Sequence, residues 1–161
     1  MQFKIEQIAI APRDPIKAVQ LMMVLGLTDW VNDDVIAIGT VWGGAAKNEA
    51  QLSFNYQAEP AGKLELEMLQ YKNGLNWLAL RGGGAVVSHI GMHCTEEELG
   101  EWHVKLSEIG VMVAQSVDTV SHSNPNIAGK RWYRYVVYST NEIIGCDLKF
   151  IVRRFEPPKV P

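Results

Sequence analysis

The stretch Val86-Val87-Ser88-His89-Ile90-Gly91-Met92-His93-Cys94 decides the reading of this chain, because it repeats in pattern the opening run Phe3-Lys4-Ile5-Glu6-Gln7-Ile8-Ala9-Ile10-Ala11. Each run is rich in β-branched and apolar residues, as a strand requires, and each is followed by a helix-start signal, a helical stretch, a glycine and three further strand-like segments. His89 and Gln7 fall at matching places. The interval from Gln7 to Glu67 equals that from His89 to Lys149, sixty positions in each case.

Working outward, Asp14-Pro15 starts the first helix, since the carboxylate can accept orphan amide hydrogens and proline at the first helical position gives up no bond. Ile16, Val19 and Met23 form a stripe predicted to bury one side of a helix ending near Leu25, and Gly26 closes it. Strands are expected over Val35 to Trp42, ended by Gly43-Gly44, over Ala50 to Tyr56, and over Lys63 to Tyr71 after a Pro60-Ala61-Gly62 turn. Residues 72–85, ending in Gly82-Gly83-Gly84, read as a connector whose Trp77, Leu78 and Leu80 pack down or form a helical turn.

In the second half Thr95-Glu96-Glu97-Glu98 is a capping box, and Leu99, Trp102, Leu106 and Ile109 mark one face of a helix that Gly110 ends. Strands are expected at Val111 to Val120, Lys130 to Ser139 and Gly145 to Arg153, with a loop at His122 to Asn126. The tail 154–161 holds three prolines and is expected to be extended. Both halves therefore read β-α-β-β-β, about 3–71 and 86–153, within one α+β domain whose two modules form a curved open sheet.

At 161 residues and 18.0 kDa the chain can bury a real core, and 47% hydrophobic with 20% charged residues excludes a disordered or fibrous class. A net charge of −3 gives no general attraction to nucleic acid or anionic lipid. The basic and aromatic run Lys130 to Tyr135 reads as an ordinary aromatic strand, because alternation splits it between two faces. No stretch has the length of a membrane span, and two cysteines make no disulfide framework, so a cytoplasmic setting is expected.

A carboxylate, an imidazole and an amide oxygen brought to one point suit a borderline divalent cation such as Zn²⁺, Ni²⁺, Mn²⁺ or Fe²⁺. Gln7, Glu67 and His89 are those three, while Lys149 at the fourth position is not a metal ligand. His93 shares the strand face of His89. Gln51, Ser53 and Asn55 share a face with Glu65 and Glu67 if the alternating Leu52, Phe54, Leu66 and Met68 pack on the helix.

Through Glu6-Gln7-Ile8-Ala9-Ile10, Leu66-Glu67-Met68-Leu69, Ser88-His89-Ile90-Gly91 and Gly145-Cys146-Asp147-Leu148-Lys149-Phe150, the chain resembles the vicinal oxygen chelate superfamily over residues 3–153. That group includes glyoxalases, extradiol dioxygenases and bleomycin-resistance proteins. The resemblance implies paired modules forming a cup, with metal ligands from the first and last strands of each. Gln7, Glu67 and His89 match ligand positions, and Lys149 stands where a glutamate usually completes the set. It also implies a homodimer and a small-molecule ligand or substrate, with Gln51, Ser53, Asn55, His93, Tyr133 and Arg134 as candidate contacts and Glu67 and Lys149 as candidate catalytic groups. Two functions stay open: a metal-dependent lyase, isomerase or dioxygenase acting on an oxygen-bearing substrate, and a metal-free protein of the resistance type that sequesters a small molecule. In the first Lys149 swings aside; in the second its ammonium takes the cation's place beside Glu67.

Overall fold

The computed structural model describes residues 2–56, 64–80 and 87–158. The expected turn at Pro60-Ala61-Gly62 and the glycines at 82–84 lie outside them. So do Lys63 and Val86, the expected starts of two strands, and the last three residues of the tail.

The elements run β1 (Gln7–Ile10), α1 (Pro15–Val24), β2 (Trp30–Val41), β3 (Gly44–Tyr56), β4 (Glu65–Gly74), α2 (Trp77–Leu80), β5 (Val87–Cys94), α3 (Glu96–Glu108), β6 (Val113–Ser121), β7 (Trp132–Tyr138), α4 (Asn141–Ile144) and β8 (Asp147–Arg154). The strands form one sheet in the order β1-β4-β3-β2-β6-β7-β8-β5, and β5 pairs with β1, so the sheet closes into a barrel. The expected open sheet is thereby corrected. Closure follows from two antiparallel seams, β1 with β5 and β2 with β6, that leave no free edge. Only β1–β4 and β5–β8 are parallel, and all other neighbours are antiparallel.

The long β2–β3 hairpin begins earlier than the apolar pattern suggests. Asn32-Asp33-Asp34 is poor strand material by propensity. Yet Asp33 is buried, and its Oδ1 accepts from Ser121 Oγ at 2.8 Å, Asn124 N at 3.1 Å and Ser123 N at 3.3 Å. The loop after β6 is thus tied to β2. The hairpin turns at Trp42 and Gly43, both at positive φ (49° and 77°), between the paired Val41 and Gly44.

Register decides which side chains meet inside. Phe54 pairs with Glu67, Leu52 with Leu69 and Ala50 with Tyr71, and directly paired residues share a face. Val35, Ala50, Leu52, Phe54, Leu69, Trp77, Leu78 and Val137 fill the barrel as one apolar cluster. Gln51 and Ser53 are therefore on the outer face, where Gln51 reaches Asp34 and Ser53 donates to Asn32 at 2.7 Å. Asn55 shares that outer parity and donates to the Asp29 carbonyl at 3.2 Å. The expectation that this polar set lines the interior with Glu67 is corrected: Gln51, Ser53 and Asn55 share the outward parity, while Ala50, Leu52 and Phe54 face in with Glu67, and of the polar residues of β3 it is Asn48 that lines the interior.

The two long helices differ. The capping box of α3 forms as expected, Glu98 N donating to Thr95 Oγ1 and Thr95 N to Glu98 Oε2. Leu99, Leu106 and Trp102 pack on Met92, Phe150, Val152 and Tyr138 across the outside of the sheet. Helix α1 starts at its expected cap, Lys17 N donating to Asp14 Oδ1 at 3.0 Å, but buries none of its residues. Ile16, Val19 and Met23 are 74%, 41% and 59% exposed, against the expected buried stripe. Among the described residues no strand packs against α1 as β8 packs against α3.

Candidate functional site

Four strands bring the site together at the centre of the barrel. β1 supplies Gln7, β4 supplies Glu67, β5 supplies His89 and β8 supplies Lys149, all buried. Each is an inward residue of an alternating strand, and the two parallel pairs set each half's first and last strands side by side.

His89 Nε2 lies 3.0 Å from both Glu67 Oε2 and Gln7 Oε1. Those are two acceptors, so the neutral ring holds its proton on Nε2 and shares it between them. On its other side Nδ1 lies 3.1 Å from Ser88 Oγ, which is also 3.2 Å from the Ala9 carbonyl. Gln7 is turned by its own amide, whose Nε2 donates to Glu65 Oε1 and so aims Oε1 at His89. Lys149 Nζ donates to Glu67 Oε2 at 3.0 Å and stands 4.3 Å from the centre of the Tyr135 ring, a cation–π contact inside the barrel. Glu67 Oε1, also buried, has no hydrogen-bond partner among the described residues.

The charges follow from this packing. Burial by itself would raise the Glu67 carboxyl, but the Lys149 ammonium and the His89 hydrogen bond overcome it and hold the pKa at about 2. Burial, then the Lys149 charge, pushes His89 down to about 4. Burial and the neighbouring Glu67 raise Glu65 above the ordinary carboxylate range. At neutral pH the centre is a Glu67 carboxylate against a Lys149 ammonium, with a neutral imidazole between carboxylate and amide.

The His89 shift has a defined consequence. The unfolded ring takes a proton near pH 6.5 and the folded ring only near 4, so between those values unfolding takes up protons and stability falls as pH falls. Stability is undiminished well above pH 6.5, and the loss is on the order of 3 kcal/mol by pH 4. That of Glu67 is lost lower, as pH drops from 4.5 toward 2. Thermal melts across this range should show the decline between pH 6.5 and 4 in the wild type and a flatter profile in His89→Gln; equal slopes would contradict the assignment.

Gln7, Glu67 and His89 have the spacing of metal ligands. Bonds of about 2.1 Å to a shared ion put neighbouring donor atoms roughly 3 Å apart, the separation seen from His89 Nε2 to each oxygen. The charges do not fit. A cation bonded to Glu67 Oε2 could be no farther than about 5 Å from Lys149 Nζ, a repulsion of roughly 7 kcal/mol for a divalent ion at an effective dielectric near 20. The same oxygen already holds the ammonium. The residues present do not fit a divalent metal while Lys149 keeps this position, and among the described residues no three His, Cys, Asp or Glu side chains group as ligands.

The other expected contacts lie elsewhere. His93 is half-exposed and pairs with Glu6 Oε2 at 3.1 Å. Arg134 faces Asp118 and Glu96 at 3.5 Å on the outside. Tyr133 is half-buried and stacks on Tyr135 at 6.3 Å. Gln51, Ser53 and Asn55 are on the outer face as described. Ser88, Tyr135, Gln115 and Trp77 also stand around the centre, where the sequence pattern places none of them; for Trp77 it indicates only that the connector packs down, and the signal for Ser88 is its place beside His89.

A cavity of about 30 Å³ adjoins the charged pair, with Glu67, His89, Lys149, Tyr71, Gln115, Tyr135 and Trp77 among its lining. That is about the share of one water in the liquid.

No family model matches the chain, and no curated protein does. Among solved structures, a hypothetical protein from Bacillus halodurans is similar over 97% of this chain and 98% of its own, at 18% identity and a TM-score of 0.46. A glyoxalase family protein from Bacillus cereus is similar over 95% of each chain, at 13% identity and a TM-score of 0.28. Both overlaps are loose, and the fold rests on the chain's own strand order. That order, an α+β barrel of eight strands with four side chains converging from the first and last strands of each half, is consistent with the glyoxalase-like fold that the sequence resembles.

Proposed function

We propose that this protein binds a small oxygen-bearing molecule inside the barrel without a metal, Lys149 supplying the positive charge at the centre. The observation that carries the reading is Glu67, which lines the cavity and whose Oε2 is held by Lys149 and His89 while its buried Oε1 has no partner among the described residues. A buried carboxylate oxygen without a donor is costly, and a ligand hydroxyl offers the missing bond. An oxygen of the same ligand can accept from the Lys149 ammonium, which has three donors and uses one on Glu67. The reading treats β1–β4 and β5–β8 as two copies of one unit, since these hold the two parallel pairs; the resemblance adds a homodimer, and the cysteine usage adds a cytoplasmic setting.

A second reading, a metal-dependent lyase, isomerase or dioxygenase, draws on the 3.0 Å spacing of Gln7 Oε1, His89 Nε2 and Glu67 Oε2. It needs Lys149 to release Glu67. An NMR titration of chelator-treated protein with glycolate, which offers one hydroxyl and one anionic group, separates them. Millimolar glycolate should shift the Glu67 side-chain carbon and the His89 ring signals, and Glu67→Gln should remove the response. A response that appears only after Zn²⁺, Ni²⁺ or Mn²⁺ is added would overturn the metal-free reading in favour of the second.

A further inference from the structure

One wall of the cavity is a large side chain that comes from outside the sheet, Trp77. Trp77 is 2% exposed, yet it belongs to no strand: it stands on the four-residue α2 in the connector between β4 and β5, and its indole reaches into the barrel's apolar cluster. There it meets the site directly, 5.9 Å from the His89 ring and edge-on to Tyr71 at 5.8 Å. Its polar atoms are anchored from the far wall. The indole Nε1–H donates to Asp147 Oδ2 at 2.9 Å, and its backbone N–H donates to Gln115 Oε1 at 3.3 Å.

The segment that carries Trp77 is joined to the sheet at a defined bend. Gly74 ends β4 at φ +82°, and a Cβ there would come within 2.2 Å of the Lys47 carbonyl, so only glycine makes the turn. Past it, Asn48 Nδ2 donates to the Leu75 carbonyl at 3.0 Å, and Asn76 Oδ1 caps the short helix by accepting from Ala79 N at 2.8 Å. Among the described residues the segment is held by these side-chain bonds and by the burial of Trp77 and Leu78, with no strand ladder of its own, whereas β4, which precedes it, and β8, which carries Asp147, are each laddered to two neighbours. Segments with few backbone bonds to the fold open at lower free energy than the strands around them.

We propose that Trp77 is the specificity-determining residue of the chamber over Glu67 and Lys149, a plug that limits it to water-sized occupants until the α2 segment swings out. The inference rests on the small-molecule reading, because it says what governs access to that centre. A molecule larger than about one water must displace the indole, and displacement breaks the Asp147 and Gln115 bonds while leaving the eight strands paired.

The plug can be tested without any ligand. Hydrogen exchange of the Trp77 indole N–H, assigned by its loss in Trp77→Phe, should run about tenfold or more faster than the slowest amides of β4 and β8 in the wild-type protein. Exchange at the rate of those amides would mean that the indole leaves only when the barrel unfolds, and would overturn the proposal. A size test uses indole as the probe. Millimolar indole should raise the melting temperature of Trp77→Ala by several degrees and leave that of the wild type unchanged, and equal responses would count against Trp77 as the barrier. If Trp77→Ala does not fold, the exchange measurement decides alone. Fast exchange with no glycolate response would sink the binding reading and leave the plug standing.

Discussion

Replacing Lys149 with glutamate is expected to give a protein that melts far below the wild type in chelator and regains most of that loss when Zn²⁺ is added. Without metal the substitution removes the ammonium 3.0 Å from Glu67 Oε2 and sets a second carboxylate in the same buried space. Two like charges there cannot both ionise, so at least one takes up a proton and the packing energy of the pair is lost. With metal the result reverses. Gln7 Oε1, His89 Nε2 and Glu67 Oε2 already have the spacing of ligands about 2.1 Å from one ion, and the new carboxylate removes the repulsion while adding a fourth donor. Zinc at a hundred times its dissociation constant would restore about 2.7 kcal/mol by mass action. Thermal melts with and without zinc, with calorimetric titration, make the measurement. A variant indifferent to zinc would mean that the four positions do not converge as described.

The second large effect concerns the pair itself. Lys149→Met keeps the bulk of the side chain and strands the Glu67 charge at zero side-chain exposure, which is expected to cost about 3–5 kcal/mol. Adding Glu67→Gln should recover most of it, because the double variant has no buried charge left to compensate. Urea unfolding of both single variants and the double variant measures this as a coupling energy. Additive effects would show that the ion pair does not hold the centre together.

How much of this was legible in the sequence depends on which interaction fixes each residue. The inward positions of Gln7, Glu67, His89 and Lys149 follow from strand alternation and the repeated sixty-residue interval, both of which are local patterns. The caps of both long helices were legible for the same reason, since Asp14 and Thr95 bond within their own first turns. Properties set by pairing between distant strands were not. Nothing in Gln51-Leu52-Ser53-Phe54 tells which face is inside until Phe54 is paired with Glu67, and that register reversed the expected roles of Gln51 and Ser53. Closure depends likewise on the β2–β6 and β1–β5 seams.

The misplacement of α1 has a related cause. An apolar stripe predicts burial only if a matching surface packs against it, and among the described residues no strand packs against α1 as β8 packs against α3. The connector around Trp77 was expected to pack down, but its depth was not readable, because the partners that draw it in, Gln115 and Asp147, lie 38 and 70 residues downstream. The short α4 was missed because four residues give no helical period; it is fixed by Asp147 Oδ1, which accepts from the Thr140 and Asn141 amides at 3.0 Å.

On the proposed metal-free reading, Lys149 does at this centre what a metal ion would otherwise do. Calorimetric titration of the unmodified, chelator-treated protein with Zn²⁺, Ni²⁺ and Mn²⁺ tests it most directly. The ammonium against Glu67 predicts no binding heat for any of the three at micromolar concentration. One equivalent of bound metal, lost in His89→Ala, would contradict it.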